Sequence, residues 1–194
     1  GRVRTYAGGT MREHRFWEPN YPIDGEGEFA GTIEEAADEV SAALERATTL
    51  RMQRADVPVG SYLSGGLDSS LVAALGVGAR GERFSTFSLR FEDAEYDETP
   101  YQRLMARHLG SDHHEVMVSR RDIAESLPAV VEHAERPILR AAPAPLFLLS
   151  RLVRQAGIKV VLTGEGADEL FAGYDLFREA KVRRFWAREP ASAW

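Results

Sequence analysis

Residues 57–70 read Val-Pro-Val-Gly-Ser-Tyr-Leu-Ser-Gly-Gly-Leu-Asp-Ser-Ser, and Leu71-Val72-Ala73-Ala74-Leu75 follow directly. Val57–Leu63 is an apolar run of strand length, and the stretch from about Ser69 to Leu75 carries a helical apolar pattern. Between them, Ser64-Gly65-Gly66-Leu67-Asp68-Ser69-Ser70 forms a tight strand-to-helix loop. Its two glycines permit a sharp turn and close approach to a ligand. Ser69 and Ser70 set hydroxyls beside the free N–H groups of a first helical turn, an arrangement suited to anions. Asp68 does not suit a plain phosphate cradle, because a carboxylate repels a phosphate. A divalent cation between the two removes the conflict, and hard oxygen ligands suit Mg²⁺. The loop therefore implies a magnesium–polyphosphate site. It is not a Walker A loop, since no lysine follows Gly65 or Gly66. The plainer alternative is a Gly-rich turn with a Ser/Asp cap.

Moving outward, strand and helix patterns alternate. Residues 1–30 read as a hairpin turning at Gly8-Gly9, followed by a linker punctuated by Pro19, Pro22, Gly25 and Gly27. The main domain is expected over residues 31–194. It opens with Thr32 as N-cap and Glu35 completing a capping box, ahead of a helix carried by Ile33, Ala36, Ala37, Val40, Ala43, Leu44 and Ala47. Phe84–Leu89 and His114–Val118 read as strands, and Ile158–Leu162 as a continuous buried one. Thr99-Pro100 opens a helix that ends near Gly110. Arg121–Val131 and Leu146–Gln155 are helical, with the Pro-rich stretch Pro137–Pro145 between them. This alternation predicts an α/β fold, a parallel sheet with helices on both faces. Ligands of such sheets bind at the carboxyl ends of the strands, where SGGLDSS sits.

A second unusual loop follows the strand Ile158–Leu162: Thr163-Gly164-Glu165-Gly166-Ala167-Asp168-Glu169-Leu170-Phe171-Ala172-Gly173-Tyr174. Glu165, Asp168 and Glu169 crowd like charges that repel one another. A metal or a cationic substrate group makes the crowding favourable; a solvated acidic helix cap is the alternative. Both loops are expected to face one crevice.

The 194 residues suffice for one sizeable domain or slightly more, at 44% hydrophobic and 28% charged. Without cysteine there is no disulfide, thiolate metal site or cysteine nucleophile. The net charge of −6 speaks against a nucleic-acid surface. No apolar run of transmembrane length speaks for a membrane, and the default setting is cytoplasmic.

SGGLDSS resembles the pyrophosphate loop of the N-type ATP pyrophosphatases, in the spelling of the asparagine synthetases, and TGEGADELFAGY resembles the second signature of that family. The segment Phe91–Glu98, His108-Leu109-Gly110 and His113-His114-Glu115-Val116 are similar to it in order and spacing. The resemblance covers about residues 33–180 and implies an adenine nucleotide alpha hydrolase-like fold. It implies a reaction in which ATP activates the side-chain carboxylate of aspartate as β-aspartyl-AMP, with loss of pyrophosphate, before ammonia displaces AMP. On this resemblance Ser64, Gly65, Gly66, Leu67, Ser69 and Ser70 hold pyrophosphate, and Asp68 and Asp168 bind Mg²⁺. Glu165 takes part in forming the adenylate and handling the amine. Leu63 and Leu89 line the adenosine, and Thr163 and Gly164 contact AMP through their backbone.

The resemblance also implies a preceding glutaminase domain that supplies ammonia from glutamine, of which residues 1–30 would be the last strands and the connector. It is compatible with a homodimer. The chain therefore reads as a fragment of a larger amidotransferase that alone makes little or no asparagine. Ala167, and the segment Glu135–Arg140, depart from the commoner family spelling, which leaves open amidation of another carboxylate, β-lactam closure, or a non-catalytic nucleotide-binding module. Glu165 favours ammonia transfer, because β-lactam-forming relatives tend to carry Tyr there. His113 and His114 read as structural, since neighbours on a strand point to opposite faces. Lys181, Arg183, Arg184 and Arg188 read as a solvated helix face, and Trp17, Phe185 and Trp186 as packing residues.

Overall fold

A computed structural model describes residues 1–20, 27–80 and 84–186. Pro22 and Gly25 of the expected linker and Arg188 of the basic run lie outside the described residues. The chain divides into two units, Gly1–Ser41 and Ala42–Trp194. In the first, β1 (Arg2–Ala7) and β2 (Thr10–Arg15) pair antiparallel. Gly8 and Gly9 both take positive φ, 55° and 74°, as a two-residue hairpin turn of this hand requires. Across the pair, Arg4 Nε donates to Glu13 Oε2 at 2.7 Å. The capping box forms as expected: the Thr32 N–H donates to Glu35 Oε2 at 2.8 Å, and the Glu35 N–H to Thr32 Oγ1 at 3.2 Å. It starts helix α1 (Ile33–Gln53), inside which the chain divides between the two units, after Ser41.

The second unit continues with β3 (Val59–Tyr62), α2 (Leu67–Arg80), β4 (Ser85–Phe91), α3 (Thr99–Leu109) and β5 (Asp112–Val118). Then come α4 (Arg120–Ala134), α5 (Pro143–Gln155), β6 (Val160–Leu162), α6 (Ala167–Phe171) and α7 (Asp175–Trp186). The four strands from β3 onward form one parallel sheet in the order β5-β4-β3-β6. The chain thus moves outward from β3 to β5 and returns to the far side of β3. Because such crossovers keep one hand, reversing direction moves the connecting helices to the other face. On one face Ala73 of α2 and Ala106 of α3 bury against Val59, Leu63 and Phe84. On the other, Leu149 and Val153 of α5 bury Phe87, and α4 packs on α5. Removing the Phe87 side chain from water contributes about 1.5–3 kcal/mol.

Local chemistry sets the element ends. A second capping box, between Ser119 and Asp122, opens α4. Gly110 ends α3 at φ 62°. Helix α5 starts earlier than the sequence suggests, taking in Pro143 and Pro145, because amides of a first turn have no intrahelical acceptor to lose. Strand β6 is shorter than expected and not wholly buried: Val160 is 41% exposed, since β6 is an edge of the sheet, with β3 its only partner among the described residues. Trp17, Phe185 and Trp186 are not packing residues among the described residues, being 60%, 73% and 76% exposed. In α7 every residue but Phe177 is exposed, so no buried face exists for Phe185 and Trp186 to join. The two histidines do part to opposite faces. His113 Nδ1 lies 2.9 Å from Thr86 Oγ1, while His114 stacks on Phe87 at 5.1 Å. Among the described residues no helix is long and apolar enough to cross a membrane.

Candidate nucleotide site

Strands β3 and β6 are neighbours, yet the chain leaves them in different directions. They flank the switch point where open parallel sheets bind ligands. The Ser64–Ser70 loop leaves β3 there, and the Thr163–Tyr174 loop leaves β6. Ser61 Oγ, fully buried, donates to the Leu162 carbonyl at 3.2 Å and ties the two strand ends together. Ser88 Oγ donates to the Leu63 carbonyl and links the third strand.

The first loop is braced from within. The Ser64 N–H donates to Ser69 Oγ at 3.1 Å, the two hydroxyl oxygens lie 2.8 Å apart, and the Gly66 N–H donates to Ser64 Oγ at 3.3 Å. Gly65 has φ 87°, and a Cβ placed on it would come within 2.9 Å of Tyr101 Cβ. Only glycine meets both demands. Helix α2 begins at Leu67, two residues before the expected start, so Asp68, Ser69 and Ser70 all lie in its first turn.

The loops touch at Gly164. A Cβ there would lie 2.9 Å from Asp68 Cβ and 3.0 Å from the Ser69 nitrogen. Beyond the contact, Gly166 at φ 93° turns the chain into α6. The Gly173 N–H donates to the Asp168 carbonyl at 3.0 Å and folds the loop back on itself. Tyr174 donates its hydroxyl to Glu169 at 3.1 Å. That bond, with the nearby charges of Glu169, Asp168 and Glu165, pushes the phenol above the ordinary tyrosine range.

A pocket of about 270 Å³ opens where the loops meet. Nine of the residues to which the family resemblance gives a role line it: Leu63, Ser64, Asp68, Ser69, Leu89, Thr163, Gly164, Glu165 and Asp168. Gly65, Gly66, Leu67 and Ser70 do not; Leu67 is 82% exposed. Their part is in loop shape: the Gly66 N–H is taken by Ser64 Oγ and the Ser70 N–H donates to the Gly66 carbonyl at 3.2 Å. Neither Glu135 nor the histidine pair reaches the pocket. Glu135 instead ends α4 in the left-handed region at φ 52°.

The walls divide by chemistry. The two loops give hydroxyls, amides and carboxylates, while β4 and α5 give Phe87, Leu89, Phe91, Leu146 and Leu149. Sequence reasoning missed Tyr62, Tyr96, Glu98 and Gln102. Phe87 and Phe91 were findable, because they alternate with Leu89 along one face of β4. Gln102 had a fainter signal, a polar side chain in register with buried Thr99 and Ala106 on α3. Among the described residues no Lys or Arg lines the pocket, whereas Asp68, Glu98, Glu165, Asp168 and Glu169 do. A polyphosphate entering it needs a cation. Among the described residues no three His, Cys, Asp or Glu side chains gather as a metal cage. Mg²⁺ does not require one, since it binds through one or two carboxylates together with substrate phosphates and water.

The family model described as asparagine synthase matches residues 39–193. The chain belongs to the asparagine synthase family. It is 41% identical over 142 residues to a putative glutamine-hydrolysing asparagine synthetase of Mycobacterium tuberculosis, covering 73% of this chain and 21% of that protein. It is 38% identical over 193 residues to amidase chyE of Penicillium rubens, covering 92% and 28%. The chain thus spans 21% and 28% of the length of these two curated relatives. Among solved structures, a glutamine-dependent NAD⁺ synthetase of Acinetobacter baumannii in complex with ADP aligns with a TM-score of 0.51. That match has 25% identity and covers 76% of this chain and 29% of the other. An NMN synthetase of Francisella tularensis shares the fold at a TM-score of 0.50 and 18% identity, covering 71% and 58%.

Proposed function

We propose that this chain is the synthetase part of a glutamine-dependent amidotransferase, in which ATP activates the side-chain carboxylate of aspartate for amidation. The carrying observation is the contact of Gly164 with Asp68 and Ser69. It joins a loop rich in anion donors to a loop rich in carboxylates across one pocket. The two-sided wall suits a nucleotide, with phosphates at the loops and adenosine against Leu63, Leu89 and their apolar neighbours. Ser64, Gly65, Gly66, Leu67, Ser69 and Ser70 would hold the pyrophosphate as it departs, their amides and hydroxyls meeting charge that grows on the leaving group. Asp68 and Asp168 would hold Mg²⁺, which offsets charge on the phosphates. Thr163 and Gly164 would contact the AMP moiety through their backbone. Glu165, an exposed residue of the pocket lining, would orient the attacking ammonia or accept its proton. The aspartyl carbon would pass from adenylate to amide, releasing AMP.

Ammonia would come from a glutaminase domain, with residues 1–30 as its connector and residues 31–194 as the synthetase side; a homodimeric, cytoplasmic enzyme belongs to the same proposal. Support for an activity beyond this chain alone is its family membership and the greater length of its relatives. The similarity to amidase chyE keeps a second carboxylate substrate in view. Pyrophosphate release by the full-length protein with a panel of carboxylates tests the proposal. Release that depends on aspartate supports it. Release with another carboxylate moves the substrate, and none with any carboxylate refutes adenylation.

A further inference from the structure

The first turn of α3 brings to the pocket a glutamine with half of its amide unused. Gln102 is 3% exposed and is one of the pocket-lining residues. Its Nε2 donates to the Leu89 carbonyl near the end of β4 at 2.9 Å. Its Oε1 is buried and has no hydrogen-bond partner among the described residues. Buried polar atoms in native proteins are nearly always paired, and leaving one unpaired disfavours folding by a factor of about ten or more. The two ends of this amide are not interchangeable. A half-turn would set Oε1 against the Leu89 oxygen, acceptor on acceptor. The Leu89 carbonyl therefore fixes Gln102 as an acceptor toward any ligand. What the arrangement lacks is an N–H group, and Phe87 and Leu89 line the same pocket as Gln102.

We propose that Gln102 reads the nucleobase, its Oε1 accepting a hydrogen bond from the exocyclic amino group of adenine. The proposal rests on the nucleotide reading above and adds a selectivity to it. Guanine and hypoxanthine carry a carbonyl oxygen where adenine carries the amine. That oxygen would face Oε1 with no proton between them, and Leu89 prevents the amide from turning to donate instead. The residue acts on which purine enters, not on the chemistry at Glu165.

The test is calorimetric titration of the full-length protein with ATP and with inosine triphosphate. Wild type is expected to bind ATP about tenfold tighter or more. Gln102→Met keeps the side-chain length and removes the acceptor. It is expected to weaken ATP and to bring the two affinities within about twofold of each other. Wild type that binds both equally overturns the inference without recourse to any variant. A Gln102→Met protein that folds, by circular dichroism, yet keeps the preference for ATP overturns it while the nucleotide reading stands. Wild type that binds neither nucleotide removes both.

Discussion

Gly164→Ala puts the contact between the two loops to a direct test. The added Cβ would meet Asp68 Cβ at 2.9 Å, the Ser69 nitrogen at 3.0 Å and the Asp68 carbonyl carbon at 3.1 Å. Favourable carbon–carbon separations are about 3.5–4.0 Å, so the loops must part by roughly 0.5–1 Å. None of the three atoms is the tip of a flexible side chain, so no rotation relieves the clash. Overpacking of this kind costs about 1–3 kcal/mol. A displacement of about 1 Å between groups that must act together costs on the order of a hundredfold in rate. Gly166→Ala is the control. Its Cβ would meet nothing within 4 Å, so the only penalty is the positive φ of 93°, about 1–2 kcal/mol. Urea unfolding of the chain, followed by circular dichroism, reads stability. Pyrophosphate release by the full-length protein reads the site. Gly164→Ala is expected to lose release far beyond its loss of stability, and Gly166→Ala to lose mainly stability. A Gly164→Ala protein within about twofold of wild-type release would refute a role for the loop contact.

Two further outcomes concern protons. Burial holds the His113 imidazole below the ordinary histidine range, although Glu115 pulls the other way. The unfolded chain then binds the proton more readily, so this stability is present above about pH 6.5 and is lost as pH falls toward the lower folded value. The urea midpoint should drop between pH 7.5 and 5.5, and His113→Gln should shrink that drop; an identical drop in the variant counts against it. At the site, spectrophotometric titration should find a tyrosine ionising above the usual value of about 10. Glu169→Gln should bring it back toward that value by removing the partner of Tyr174, and an unmoved titration would sink the assignment.

Much of the fold is written locally. Thr32 and Glu35 announce a capping box and form it, and Gly8-Gly9 announces a tight turn and makes one. The two signature loops were legible because glycines and like charges so close together have few structural uses. What local chemistry does not carry is adjacency. Alternating strands predict a parallel sheet, but not that β6 returns beside β3, and on that return the pocket depends. Boundaries slipped where a rule has an exception, as at Pro143 and Pro145, which a first helical turn tolerates. Glu135 shows the converse, a left-handed position filled without glycine. Gln102 was hidden because its meaning lies in the Leu89 carbonyl, contributed by another element.

The pairing of β3 with β6 also sets an order of assembly. Ser61 and Leu162 are 101 positions apart in the chain, whereas β3, β4 and β5 meet through nearer neighbours. Closing the longer loop costs more chain entropy and comes late in folding. During synthesis the β3–α2–β4 unit, complete at Phe91, emerges well before the acidic loop that begins at Thr163. The pocket closes only when β6 joins the sheet, so a chain stalled before β6 can have most of the fold and only one side of the site.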